Sequence, residues 1–279
     1  MRKASLYKRS NGLQRRDAKQ TIEEFSHFLQ WRSDGCDSLL DIGCGSGDVT
    51  IDFLLPILPT KFSKLVGVDM SQEMIEFARD QYPHPKILFE KFDLGVDLEK
   101  QQFRNEEPFD HITSFYCLHW VQNQEKAIQN MYKLLKPDGD MLLVFLAQNP
   151  IFEIYKQMSQ SKKWAKYMID CDNFISPYQY SKNAADQFGK LLYSNGFIEY
   201  SVEIREKFFV FEGIDLLKKS VKAVNPFIER IPLHDQDAFF DDYLNLVIKM
   251  HLSLDDIHTN SKTCRFLTPY KLIVAYARK

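Results

Sequence analysis

The chain has 279 residues, 44% of them hydrophobic and 27% charged, which suits a globular protein with one large domain and excludes disordered, collagen-like and repeat classes. The net charge is -2, and no helical face gathers Lys and Arg among aromatics, so no nucleic-acid partner is expected. Five cysteines (Cys36, Cys44, Cys117, Cys171, Cys264) are odd in number, scattered and without a CxxC pair; this argues against a disulfide framework or a metal site and points to the reducing cytoplasm.

The N-terminus lacks the apolar stretch of a signal peptide, and no apolar run is long enough for a membrane span. Ala18, Thr21, Ile22, Phe25, Phe28 and Leu29 recur at helical spacing, which predicts an amphipathic helix from about Leu13 to Gln30 with Gln14 on its inward stripe. A short apolar strand at Ser38–Ile42 then runs into Gly43-Cys-Gly-Ser-Gly47 and a helix ending near Pro56. Lys64–Asp69 reads as a second strand, followed by a helix capped by Ser71. Lys86–Asp93 is a third strand and Phe109–Tyr116 a fourth; the helix through Ala127, Ile128 and Met131 is closed by a Lys136-Pro-Asp-Gly139 turn, and Met141–Ala147 is a fifth strand. Strands alternating with helices predict an α/β fold: a Rossmann-like, doubly wound, mostly parallel sheet whose ligand crevice lies at the carboxyl ends of the strands.

Beyond Gln148 the rhythm breaks into a stretch rich in aromatics and Met (Phe152, Tyr155, Met158, Trp164, Tyr167), which predicts a helical cap. A helix through Phe188 and Leu192 should end at Asn195-Gly196. Tyr200–Phe211 reads as a strand, 214–224 and 236–250 as amphipathic helices, and Leu267–Arg278 as the last strand. The expected architecture is a seven-stranded sheet with a reversed hairpin at one edge in a single domain spanning 1–279. An N-terminal helix within 1–34 and an insert at about 148–182, with helices at about 213–250, form a substrate cap.

The loop spacing is G-x-G-x-G, with Asp41 two residues before the first glycine. It matches neither the dinucleotide fingerprint nor a P-loop and better suits the amino-acid half of S-adenosylmethionine. Asp69, about 20 residues past the glycines, is placed to accept from both ribose hydroxyls. Asp93, at the end of the third strand, is placed for an adenine amino group, with Leu94 as an apolar neighbour. Acids at three successive strand ends resemble the motifs of class I S-adenosylmethionine-dependent methyltransferases. That resemblance implies further cofactor contacts from Gly43, Cys44, Gly45, Met70, Ser114 and Phe115, with Tyr7 and Arg16 of the N-terminal segment closing over the cofactor.

The fourth strand runs into Ser114-Phe-Tyr-Cys-Leu-His-Trp120 and lacks an Asn-Pro-Pro-Tyr-type amino-methyltransferase signature. Its aromatic end resembles enzymes that methylate small carboxylic acids. The blocks Ala4–Gln14, Thr113–Asn123, Pro150–Tyr155, Asp172–Pro177, Val224–Phe227 and Pro269–Arg278 resemble the juvenile hormone acid O-methyltransferases of insects across nearly the whole chain. This implies methyl-ester formation on a small-molecule terpenoid carboxylic acid, farnesoic acid or juvenile hormone acid; the alternative is another small or fatty acid. A carboxylate with a pKa of about 4.3 is ionised at neutral pH and needs no general base, only positioning by neutral donors. Trp120 and Gln14 offer such donors, and His119 is a third candidate. A terpenoid tail needs a dry pocket, which Ile151, Tyr155, Met158, Trp164, Val221 and Val224 are expected to line, with Phe227 adding a wall.

Overall fold

A computed structural model describes residues 4–255 and 264–279, so the first three residues of the expected 1–34 segment lie outside the described residues. Seven strands form one sheet: β1 (Ser38–Ile42), β2 (Lys64–Asp69), β3 (Ile87–Lys91), β4 (Phe109–Phe115), β5 (Leu135–Gln148), β6 (Glu199–Glu212) and β7 (Arg265–Arg278). Their order is β3-β2-β1-β4-β5-β7-β6. The first five are parallel, while β7 runs antiparallel to both β5 and β6, giving the reversed hairpin at one edge. β1 and β4 are buried along their whole length, as strands covered by helices on both faces must be. Alternate residues feed two apolar cores, with Leu39 and Leu65 on one side of the sheet and Leu40 and Val66 on the other. Strand order reverses between β1 and β4, which opens a crevice at their carboxyl ends.

The helices are α1 (Ala4–Ser10), α2 (Gly12–Phe25), α3 (Gln72–Gln81), α4 (Gln124–Leu134), α5 (Pro150–Ser159), α6 (Ala184–Ser194), α7 (Ile214–Val224) and α8 (Gln236–Lys249). Three local expectations are corrected. First, the N-terminal helix is two: Asn11, whose amide donates to Asp48 (2.9 Å), leaves helical geometry between α1 and α2, and α2 ends at Phe25 in a 3₁₀ turn. A seven-residue helix such as α1 is marginal alone and is held by packing on α3 and α7. Second, the Lys136–Gly139 turn lies inside β5, which absorbs it through left-handed Asp138 (φ 64°) and a register break opposite Phe109 and His111. Third, only α5 of the 148–182 insert is a full helix. Ser159 turns its hydroxyl back to the Lys156 carbonyl (2.7 Å), and short 3₁₀ turns at Ala165–Tyr167 and Cys171–Phe174 follow.

Candidate active site

The glycine loop leaves β1 with Gly43 at φ 77° and Gly45 at φ 55°, left-handed conformations that disfavour any side chain. The Gly43 and Cys44 amides donate to the Val68 carbonyl, tying the turn to β2 (2.7 and 3.0 Å). A Cβ on Gly43 would stand 2.3 Å from the Cys117 Cβ, so the approach of the β4 loop depends on a bare backbone. Gly43→Ala is therefore expected to cost about 3 kcal/mol or more, from strained φ plus overpacking. Urea denaturation reads this against Gly12→Ala, where nothing lies within 4 Å; equal midpoints for the two variants would sink the argument.

Behind the loop, buried Asp41 accepts from Thr50 (2.6 Å) and Thr113 (3.2 Å), and burial raises its carboxyl to about 6. Half-buried Asp69 ends β2 and accepts the Gly45 amide (3.1 Å) and the Ser71 amide (2.8 Å), one on each oxygen. Desolvation raises its carboxyl despite those bonds. Asp93, after β3, accepts from the Gly95 amide (2.9 Å) and is half-buried. Leu94 beside it turns into the core, whereas Met70 is 63% exposed. Ser114 and Phe115 are buried at the end of β4, with the Ser114 hydroxyl on the Ile42 carbonyl (2.8 Å). The crevice thus presents a bare loop, two oriented carboxylates and apolar walls.

Tyr7 of α1 stands over the loop, where a Cβ on Gly45 would lie 3.4 Å from its ring. Burial, then Asp48 and Asp69, push its hydroxyl above the usual range, so it stays a neutral donor. Arg16 does not reach this loop: it bonds the Tyr270 hydroxyl (2.5 Å) and the Phe208 carbonyl (3.1 Å) and lies over Phe209. The neighbouring Arg15 instead pairs with Asp48 (2.6 Å), one residue past Gly47, and Asp52 (2.8 Å). Helical rotation of about 100° per residue separates the two arginines.

A mostly apolar cavity opens beside the loop, and Tyr7, Gln14, Tyr116, His119 and Trp120 share its wall. Trp120 ends a 3₁₀ turn after β4 and packs edge-on against Phe152 (ring centroids 6.0 Å apart). Neither its indole N–H nor the Gln14 amide has a hydrogen-bond partner among the described residues, and both residues are half-buried. His119 accepts the Leu146 amide at Nδ1 (3.4 Å), which puts its proton on Nε2. Burial lowers its pKa to about 3, so it is neutral. Tyr116 is left-handed (φ 58°), a conformation uncommon for a non-glycine, and its hydroxyl donates to Asp17 (2.6 Å).

Asp17 is 0% exposed. It also accepts from the Tyr270 hydroxyl (2.6 Å) and from Lys207 (3.0 Å) and Arg16 (3.2 Å). This knot ties α2, three residues beyond Gln14, to the β4 loop and to the β6–β7 hairpin. Sequence periodicity passes over it because a lone acid on an apolar stripe looks like a solvated position.

The tail of the cavity is walled by Ile151, Val221 and Val224, joined by Phe152, Leu217 and Val247. Tyr155, Met158, Trp164 and Phe227 are not on this wall, which corrects the expectation for them. α5 borders the cavity through Pro150, Ile151, Phe152 and Ile154, whereas Tyr155 and Met158 are buried against neighbouring elements. There Tyr155 packs on Phe227 (5.3 Å), while Trp164 packs on Phe239 (5.3 Å) and donates its indole N–H to Asp242 (2.8 Å).

Residues 40–141 match the family described as methyltransferase domain. The chain is 47% identical to the juvenile hormone acid O-methyltransferase of Drosophila melanogaster, over 100% of this chain and 93% of that protein. It is 38% identical to the enzyme of the same name from Bombyx mori, over 100% of this chain and 98% of the other. Among solved structures, the YcgJ protein of Bacillus subtilis superposes with a TM-score of 0.60 at 16% identity, covering 93% of this chain and 98% of that one, a likeness of fold.

Proposed function

The chain belongs to the juvenile hormone acid O-methyltransferase family, and from that premise we propose that it esterifies the carboxylate of juvenile hormone acid or farnesoic acid. The products are juvenile hormone or methyl farnesoate, and S-adenosylhomocysteine. The observation that carries the carboxylate reading is the pair of unpartnered neutral donors, Trp120 and Gln14, on the wall of one largely apolar cavity beside the glycine loop.

S-adenosylmethionine supplies a sulfonium methyl group, for which a carboxylate oxygen is a sufficient nucleophile. The chain's residues fit that cofactor: Gly43 and Gly45 leave room at the loop, and Asp69 and Asp93 keep acceptor capacity beyond the amides that orient them. Cys44, Ser114 and Phe115 back the crevice from β1 and β4, and Tyr7 covers the loop from above. Trp120 and the Gln14 amide each donate to the acid, orienting one oxygen without the charge neutralisation that a cation would impose. The Nε2–H of His119 is a third donor to the same group. The elements α1 and α2, the 148–182 insert, α7 and α8 act as a cap that excludes water from the tail and the reacting oxygen. Among the described residues no helix is long and apolar enough to cross a membrane.

The test is transfer of labelled methyl from S-adenosylmethionine to farnesoic acid and juvenile hormone acid, with medium-chain fatty acids and a dicarboxylic acid alongside. Selective labelling of the terpenoid acids is expected; equal labelling of all acids, or none, would reject the assignment. The same assay should show kcat/KM flat between about pH 7 and pH 8.5, because the acid ionises near pH 4.3, Asp41 titrates near 6, below this window, and His119, held near 3 by burial, stays neutral throughout. A limb still rising above pH 7 would instead mark a general base.

A further inference from the structure

The cavity carries a polar group that methyl transfer does not use. Tyr243 of α8 is 5% exposed and lines the cavity, yet its hydroxyl has no hydrogen-bond partner among the described residues. The hydroxyl is not one of the sealed, unpartnered atoms of the core; it faces the cavity, where a ligand can supply the partner that the protein does not. Two neighbours sharpen the point. Behind it the Tyr155 hydroxyl and Asn225 face each other, buried and without a hydrogen bond of good geometry. Burial, then Tyr243 and Cys171 nearby, push the Tyr155 hydroxyl up, while Asn225 opposes the rise.

This corner lies away from the carboxylate end. Along α5, Phe152 touches Trp120 and Tyr155 follows about one turn later, with Tyr243 beside it across the α5–α8 contact. Ser220 and Thr268 also line the cavity, but both are only half-buried. Tyr243 combines burial, orientation into the cavity and a free donor.

We propose that Tyr243 is a specificity-determining residue whose hydroxyl donates to an oxygen near the far end of the terpenoid tail, so that an epoxidised acid is preferred over its hydrocarbon counterpart. The inference rests on the terpenoid reading of the same cavity. An epoxide oxygen accepts and cannot donate, which matches a phenol without an acceptor's partner. A pocket built around such a donor discriminates against the analogue lacking the oxygen, because the phenol is then left buried and unpaired.

The test uses the two product esters, methyl farnesoate and its terminal epoxide, titrated calorimetrically into wild type, Tyr243→Phe and Ser220→Ala with S-adenosylhomocysteine present. Wild type should bind the epoxide about 10-fold more tightly. Tyr243→Phe should bring the two esters within about twofold by weakening the epoxide alone, and Ser220→Ala should keep the wild-type ratio. Equal binding by wild type, no binding of either ester, a ratio retained in Tyr243→Phe, or one lost only in Ser220→Ala would each overturn the assignment. Methyl transfer to the two parent acids is run in parallel. Absent transfer with intact ester selectivity would reject the carboxyl methyltransferase reading and leave Tyr243 in place.

Discussion

Trp120→Phe and Gln14→Leu are each expected to lower kcat/KM for methyl transfer by about 10²-fold, and Trp120→Ala by about 10³-fold, while affinity for S-adenosylmethionine stays within a few-fold of wild type. The reaction needs no acid–base group, so its rate depends on holding one carboxylate oxygen in line with the methyl carbon. Two neutral donors define both the place and the tilt of the carboxylate, and losing one leaves it free to rotate. Trp120→Phe is the informative variant, since it preserves an aromatic ring against Phe152 and His119 and removes only the N–H. Near-normal activity in Trp120→Phe would assign Trp120 to packing and move the carboxylate contact to His119 or elsewhere. Because the donors act on one group, the double variant should lose less than the product of the single losses.

The second large effect is expected at Asp17. Asp17→Ala removes the shared acceptor of Tyr116 and Tyr270 and the counter-charge of Lys207 and Arg16. Breaking a buried charged network by deleting one partner costs about 3–5 kcal/mol, because the groups left behind remain desolvated. Tyr270→Phe, which removes one donor and leaves the acid, should cost about 1 kcal/mol. Urea midpoints measure both. Activity supplies an independent readout at temperatures where the variant is folded: KM for the acid should rise more than KM for S-adenosylmethionine, because Asp17 sits one turn from Gln14 and anchors the helix that carries it. An Asp17→Ala midpoint equal to wild type would mean that apolar packing of Ala18 and Ile22 alone seats α2.

Much of the fold was legible in the sequence because its signals are local. Strand runs ending in an acid, the alternating glycines after β1, the Ser71 cap and the left-handed Gly196 each depend on neighbours a few residues away. The mostly parallel sheet and its reversed edge followed from the alternation of those elements and the late pair of strands. The same local chemistry pointed to Asp69, Asp93, Trp120 and Gln14 as candidate site residues.

What periodicity leaves open is which surface covers a given face. An apolar stripe looks the same whether it faces a ligand or a helix, so Tyr155, Met158 and Trp164 resemble pocket walls until α8 and Phe227 are seen packed against them. Arg15 and Arg16 are equivalent in composition, and only the positions of Asp48 and Tyr270 decide which one serves the glycine loop. Asp17 finds its partners 99 residues away at Tyr116 and 253 residues away at Tyr270, and its burial is a product of chain closure rather than of any neighbouring residue. The sequence by itself therefore determined the sheet, the cofactor loop and the class of chemistry, since backbone conformation and strand-end chemistry are set over short range. The tertiary structure decided what lines the tail cavity, what anchors the Gln14 helix and where a free phenol remains, since desolvation and pairing depend on groups brought together only by folding.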